Sequence, residues 1–138
     1  MNEGMFTSKT YEWETPQDFF DELNKKFDFG LDVCATKNNS KSKFYYTKED
    51  NGLNKDWNEI SGWKWMNPPY GREISNWVKK ASESGKVVAL LPARTDTRWF
   101  HNYIYENFGV DVEFIKGRLK FGGSKNSAPF PSMIVIFH

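Results

Sequence analysis

Cysteine and histidine are scarce in this chain of 138 residues, which has a single cysteine, Cys34, and two histidines. One cysteine cannot form an intramolecular disulfide, and these few residues give no recognisable zinc-binding pattern. The sequence also has no signal peptide and no apolar run long enough to span a bilayer, so the cytoplasm is the expected compartment. A net charge of +1 provides no overall field that would attract nucleic acid, so any such contact needs a local basic surface.

The length predicts one domain over residues 1–138, with no room for a separate target-recognition domain. Residues 1–12 are polar and are expected to be disordered. Aromatic residues make up 17% of the chain, and most of them are expected in the core because large rings supply much of the burial in a small domain.

The first half predicts a helix, a strand and a long polar connection. Thr15 and Pro16 are typical of a helix start, with Thr15 as the N-cap and Pro16 in the first helical position, and apolar residues then follow at helical spacing to Phe27. The run FGLDVCA predicts a short buried strand. The polar stretch over residues 36–61 is too long for an ordinary connection and is expected to hold a short strand over residues 44–46 and a functional loop.

The second half alternates strands and helices. GWKWM predicts a strand, residues 72–84 an amphipathic helix, KVVALLPA a strand buried on both faces, and residues 96–108 another helix. Strands VDVEFIKG and SMIVIFH follow. The order predicts an α/β sheet that is mostly parallel, with an antiparallel C-terminal strand.

The stretch WMNPPYG carries the most specific chemical signal. Two consecutive prolines fix two φ angles and remove two N–H donors, so the strand ends in a stiff turn. That stiffness would hold the Asn67 side-chain oxygen and the Pro68 carbonyl at a fixed separation, where both could accept hydrogens from one weakly nucleophilic amine. Tyr70 would stack on a planar group. Adenine N6 and a glutamine amide both satisfy this description.

The motif series resembles the short, phage-type DNA N6-adenine methyltransferase family, Dam-like. The resemblance covers the chain from Trp13 to its C-terminus and rests on the motifs WETPQDFF, FDFGLDVCAT, YYTKEDNGLNKDW, WMNPPYG, NWVKKA, LLPARTDTRWF and GRLKFG. It implies a compact Rossmann-like sheet, S-adenosylmethionine (SAM) as cofactor, and methyl transfer to N6 of an adenine flipped out of duplex DNA. Alternatives are an RNA adenine or protein glutamine as acceptor, and a non-catalytic nucleic-acid-binding relative.

Site residues follow from the same resemblance. Asn67, Pro68, Pro69 and Tyr70 form the catalytic element, and Phe130 gives a second aromatic surface for the base. The implied cofactor contacts are Thr15, Pro16, Asp32, Cys34, Ala35 and Asp50. Four of these residues have simpler interpretations: Asp32 as a strand-end cap, Asp50 as a turn residue, Phe130 as core and Cys34 as a small buried residue. The segment LDVCAT also lacks the glycines usual in a SAM-binding loop.

Contacts with the DNA backbone require cations beyond the carboxyl ends of the strands, where ligands of open α/β sheets bind. The candidates are Arg94, Arg98, Arg118, Lys120 and Lys125, which follow predicted strands or precede the last one. Contacts of this kind supply affinity and salt dependence but little sequence preference, so a short or relaxed recognition sequence is expected.

Overall fold

The computed structural model describes residues 13–122 and 126–138, which form a mixed α/β fold. Residues 1–12, predicted to be disordered, lie outside the described residues. In chain order the helices and strands are α1 (Gln17–Phe27), β1 (Leu31–Asp32), β2 (Lys64–Met66), α2 (Ile74–Ser84), β3 (Val87–Pro92), α3 (Arg98–Phe100), β4 (Val110–Phe114) and β5 (Ser132–Phe137). Two 3-10 turns, Gly52–Asn54 and Trp57–Glu59, lie between β1 and β2, and a π-helical turn, His101–Tyr105, continues α3.

The strands form one five-stranded sheet in the order β1-β2-β3-β5-β4. β1 and β2 pair in parallel, as do β2 and β3, whereas β5 runs antiparallel to both β3 and β4. The predicted antiparallel last strand is thus confirmed. The prediction of a mostly parallel sheet is not confirmed, because two strand pairs are parallel and two are antiparallel. β5 lies between β3 and β4 and pairs antiparallel with both of them.

The core is built on β3, in which all six residues are buried. This agrees with its continuous apolar sequence, which has no polar face to present to water. On α1, Phe20 packs its ring against Phe29 and Trp65, with centroid distances of 5.5 and 5.3 Å. On α2, Trp77 stacks on Trp57 at 6.1 Å, which anchors the long connection between β1 and β2.

The start of α1 differs from the prediction. The helix begins at Gln17, with Pro16 in the cap position and no side-chain cap hydrogen bond. Its first turn closes through Phe20 N–H, which donates to the Pro16 carbonyl at 3.1 Å. Thr15 therefore lies before the helix, and its hydroxyl does not cap it.

Two other predicted elements are shorter than expected. The strand over residues 44–46 is reduced to a single parallel bridge between Tyr45 and Asp32. The helix predicted over residues 96–108 is α-helical only from Arg98 to Phe100 and then widens into the π turn, in which Glu106 N–H donates to the His101 carbonyl. Since a π turn brings residues five apart over one another, the rings of Phe100 and Tyr105 can stack, at 6.1 Å.

Strands β1 to β4 all point the same way, so their carboxyl ends meet at one edge of the sheet together with the start of β5. We call this the carboxyl edge. Ligands of open α/β sheets bind outside the carboxyl ends of the strands.

Candidate active site

Asn67 directly follows β2 at the carboxyl edge, beside the segment that follows β1. The two strands pair with Asp32 opposite Trp65, and Val33 N–H donates to the Trp65 carbonyl at 3.1 Å. Continuing the parallel register brings Cys34 alongside Asn67. The segment predicted to bind the cofactor and the segment predicted to bind the amine are therefore neighbours.

The side-chain amide of Asn67 is held by the chain that precedes α1. Its Nδ2 donates to the Trp13 carbonyl and to Thr15 Oγ1, the latter at 3.0 Å. Because a carbonyl can only accept, the amide atom that faces Trp13 must be the nitrogen, and this fixes which way the amide points. Both N–H groups are used inside the protein, so Oδ1 is the amide atom with remaining capacity for another donor.

Tyr70 is buried next to Asn67, with 2% of the residue's surface exposed. Its hydroxyl faces two acceptors, Asn67 Oδ1 at 2.9 Å and the Leu90 carbonyl at 3.1 Å. Burial raises the pKa of the Tyr70 phenol far above its ordinary value, and the positive charge of Arg94 opposes that rise. The phenol therefore keeps its proton, and that one proton can be donated to either acceptor.

Four rings form an aromatic cluster at the same place: Trp13, Tyr70, Phe121 and Phe130. Phe130 meets Tyr70 edge to face, with centroids 5.6 Å apart, and Trp13 meets Phe130 in the same way at 5.2 Å. Phe121 lies 5.4 Å from Trp13. Phe130 thus lies beside Tyr70, and its role as a second aromatic surface for a base stays a prediction. The cluster must open before a planar ligand can stack on the buried Tyr70 ring.

Asp32 shapes the loop that follows β1. One carboxylate oxygen accepts the Cys34 N–H at 3.2 Å and the other accepts the Lys41 N–H at 3.0 Å. Burial raises the pKa of Asp32 to about 7, although the two backbone donors act in the opposite direction. The interpretation of Asp32 as a strand-end cap fits these bonds. Ala35 is buried in the same loop, and its N–H donates to the Tyr46 carbonyl at 2.9 Å.

Gly52 supplies a close backbone approach at this loop, which has no glycine of its own. A Cβ at position 52 would lie 2.5 Å from the Val33 carbonyl oxygen and 3.1 Å from the Trp77 ring. Any larger side chain would therefore push the loop after β1. Sequence reasoning assigned Gly52 no role, because its contact is made across a long connection that leaves no local pattern.

Asp50 forms part of an exposed turn. Its carboxylate accepts hydrogen bonds from Thr47 N–H at 2.8 Å and from Thr47 Oγ1 at 3.0 Å, and these bonds lower the pKa of Asp50. The interpretation as a turn residue agrees with this geometry. That Asp50 also contacts a cofactor stays a prediction.

Four of the candidate DNA-binding cations are exposed and lie after the carboxyl ends of strands. Arg94 follows β3 and Arg98 begins α3, and neither side chain has a hydrogen bond or an ion pair with another described residue. Arg118 and Lys120 follow β4, and Arg118 donates to the Ala128 carbonyl at 3.4 Å. Lys125 lies outside the described residues.

The similarity of this chain to known proteins shows the family to which it belongs. The family described as DNA N-6-adenine-methyltransferase (Dam) matches residues 5–138. The chain belongs to the Dam family. It is 32% identical over 136 residues to the DNA N-6-adenine-methyltransferase of Haemophilus phage HP1, covering 91% of this chain and 77% of that protein. It is 33% identical over 93 residues to the DNA N-6-adenine-methyltransferase of Escherichia phage T1, covering 64% of this chain and 38% of that protein.

In this member of the Dam family, six of the predicted site residues fall into two groups by the contacts that they make. Those next to Asn67 are linked to it or to Tyr70 by hydrogen bonds, ring contacts or strand register: Thr15, Cys34, Tyr70 and Phe130. Asp32 and Asp50 instead hold local backbone, through bonds within their own segments. Trp13 and Phe121 were missed, because the sequence marks them only as aromatic residues in a chain rich in them.

The described residues provide neither a metal-binding cluster nor a membrane-spanning helix. No group of three or more His, Cys, Asp or Glu residues is placed to hold a metal ion within residues 13–122 and 126–138. No helix in this part of the chain has the length and apolar composition needed to cross a membrane.

Proposed function

We propose that this protein transfers a methyl group from SAM to the N6 amino group of adenine in DNA. The observation that carries the proposal is the fixed Asn67 amide, whose nitrogen is bound within the protein and whose oxygen retains a free lone pair. Membership of the Dam family supports adenine in DNA as the acceptor, and so do the names of the two phage relatives. The sheet order, with β5 between β3 and β4, fits a Rossmann-like methyltransferase fold.

The chain would bind the acceptor amine through two oxygens. The second lone pair of Asn67 Oδ1 and the Pro68 carbonyl, to which no described residue donates, would each accept one N6 hydrogen. Two such bonds draw the nitrogen lone pair out of the ring and turn it toward an electrophile. As the amine approaches Oδ1, Tyr70 can turn its proton to the Leu90 carbonyl, which it already faces at 3.1 Å. Once its new bond to the methyl carbon had formed, the positively charged amine would release one proton to water.

The residues after β1 fit a cofactor that lies next to this amine. The loop is held in shape by Asp32, is approached closely by Gly52, and runs alongside Asn67. SAM supplies an electrophilic methyl group when it is bound. We propose Cys34 and Ala35 in this loop as its contacts, with Pro16 and Asp50 as further contacts that the family resemblance implies. The resemblance also implies a cofactor contact for Thr15, but the hydrogen bond that Thr15 accepts from Asn67 Nδ2 supports a different role for that residue.

Access for a base would require the aromatic cluster to open. An adenine inside a duplex cannot reach a recessed amine-binding site, so it would have to leave the stack, at a cost of a few kcal/mol. The rings of Tyr70 and Phe130 would then stack on the flipped adenine in place of its neighbouring bases. Exposed Arg94, Arg98, Arg118 and Lys120 would hold the DNA backbone around the site. DNA and SAM occur together in the cytoplasm of a bacterial or phage-infected cell, and we expect the enzyme to act there.

The test combines cofactor binding with a choice of acceptors. Calorimetric titration with SAM should show binding, and labelled methyl from SAM should be transferred to unmethylated DNA but not to matched RNA or to a glutamine-containing peptide. Transfer to RNA or peptide in place of DNA would contradict the proposed acceptor. Absence of SAM binding by the folded protein would contradict the enzyme itself and favour a nucleic-acid-binding relative.

A further inference from the structure

Thr15 is buried before α1 but does not cap that helix. The residue is 3% exposed, and α1 begins at Gln17 without a side-chain cap. A buried hydroxyl needs a hydrogen-bond partner, and the partner here is the Nδ2 of Asn67 at 3.0 Å. The two residues are 52 positions apart in the chain, so this contact is made by the fold and not by local sequence.

The remaining bonds of Asn67 show what Thr15 contributes. Nδ2 has two hydrogens, and the Trp13 carbonyl takes one while Thr15 Oγ1 takes the other. With both hydrogens bound, the amide plane cannot rotate without breaking a bond. Its oxygen therefore stays turned toward Tyr70 and the carboxyl edge.

We propose that Thr15 is a positioning residue for Asn67, and that it acts through the orientation of the amide instead of by contact with the cofactor. This inference rests on the proposed function. It also differs from the role that the family resemblance implies for Thr15, and the two roles predict different kinetics. A cofactor contact changes the affinity for SAM, whereas an amide orientation changes the rate of transfer once both substrates are bound.

The test uses Thr15→Val, which removes the acceptor oxygen at nearly the same volume, and Thr15→Ser, which keeps it. In Thr15→Val, kcat at saturating SAM and DNA should fall by about 10-fold or more, since small misplacements of a reacting group are costly. The Kd for SAM, from calorimetry, should stay close to the wild-type value. Thr15→Ser should restore most of kcat. A Kd that rises while kcat is unchanged would overturn the proposal in favour of a cofactor contact, and so would a Thr15→Val enzyme with wild-type kinetics.

A second measurement separates this inference from the proposed function and needs no activity. In the 15N-labelled wild-type protein, both side-chain amide protons of Asn67 should exchange slowly with water, because both are hydrogen-bonded. One of them should exchange faster in Thr15→Val, or in Thr15→Ala if the valine variant does not fold. Fast exchange of both protons in the wild type would overturn the positioning role even if DNA is methylated. Slow exchange without methyl transfer would instead overturn the proposed function alone.

Discussion

Gly52→Ala tests whether the connection between β1 and β2 is pressed against the loop that follows β1. An ideal Cβ would lie 2.5 Å from the Val33 carbonyl oxygen, about 0.9 Å inside the 3.4 Å at which ordinary contact begins, and 3.1 Å from the Trp77 ring. Both neighbours are fixed, one as backbone and the other as a ring stacked on Trp57. Overpacking of this kind costs about 1–3 kcal/mol, so we expect the free energy of unfolding to fall by that amount.

Urea denaturation measures this change, with Gly109→Ala as the matched control. A Cβ at Gly109 would meet Asn107 Oδ1 at 3.5 Å, an ordinary contact, so the control should keep the wild-type free energy of unfolding or raise it by up to about 1 kcal/mol. Both substitutions reduce the freedom of the unfolded chain alike, and that effect cancels in the comparison. The affinity for SAM should weaken in Gly52→Ala because the carbonyl of Val33 must move. Equal stability of the two variants would refute the close approach.

Three further predictions address the site. Tyr70→Phe keeps the ring but leaves two acceptors, Asn67 Oδ1 and the Leu90 carbonyl, without their shared donor. Urea denaturation should therefore show that the free energy of unfolding falls by about 1–3 kcal/mol. An unchanged free energy of unfolding would contradict the phenol hydrogen bonds. The pKa of Asp32 rises from 3.8 to about 7 on folding, so between these pH values the folded state binds a proton that the unfolded state has lost. The free energy of unfolding should therefore fall as the pH rises from about 4 to 7. Asp32→Asn should remove this dependence on pH. Replacing Arg94 and Arg98 together by Gln should lower the salt dependence of DNA binding by about 0.9 in log–log slope for each phosphate that is no longer neutralised. Lys25→Gln, in the last turn of α1, should leave that slope unchanged.

The sequence predicts this fold well where the pattern reports burial. The apolar run of β3 and the helical stripe of α2 appear within a residue or two of their expected bounds, because each pattern has one way to bury its apolar atoms. The sequence predicts the fold less well where the arrangement of the chain depends on contacts between distant segments. The position of β5 between β3 and β4, and the π turn after α3, depend on neighbours that no local pattern identifies.

The candidate site shows the same division. The four residues from Asn67 to Tyr70 are a local motif, and a hydrogen bond joins the side chains at its two ends. The partners of that motif come from distant segments: Thr15 and Trp13 from before α1, and Phe121 from after β4. Thr15 before a proline is also typical of a helix cap, so the sequence alone could not separate that use from the one that the fold gives it.

The most direct test of the proposed mechanism is nucleoside analysis of DNA after methyl transfer, with Asn67→Ala beside the wild type. Asn76→Ala, on the exposed face of α2, is the matched control. We predict N6-methyladenine from the wild type and the control, and a loss of about 100-fold or more in Asn67→Ala, as expected when a positioned transition-state contact is removed. Wild-type activity in Asn67→Ala, or a methylated nucleoside other than N6-methyladenine, would contradict the mechanism.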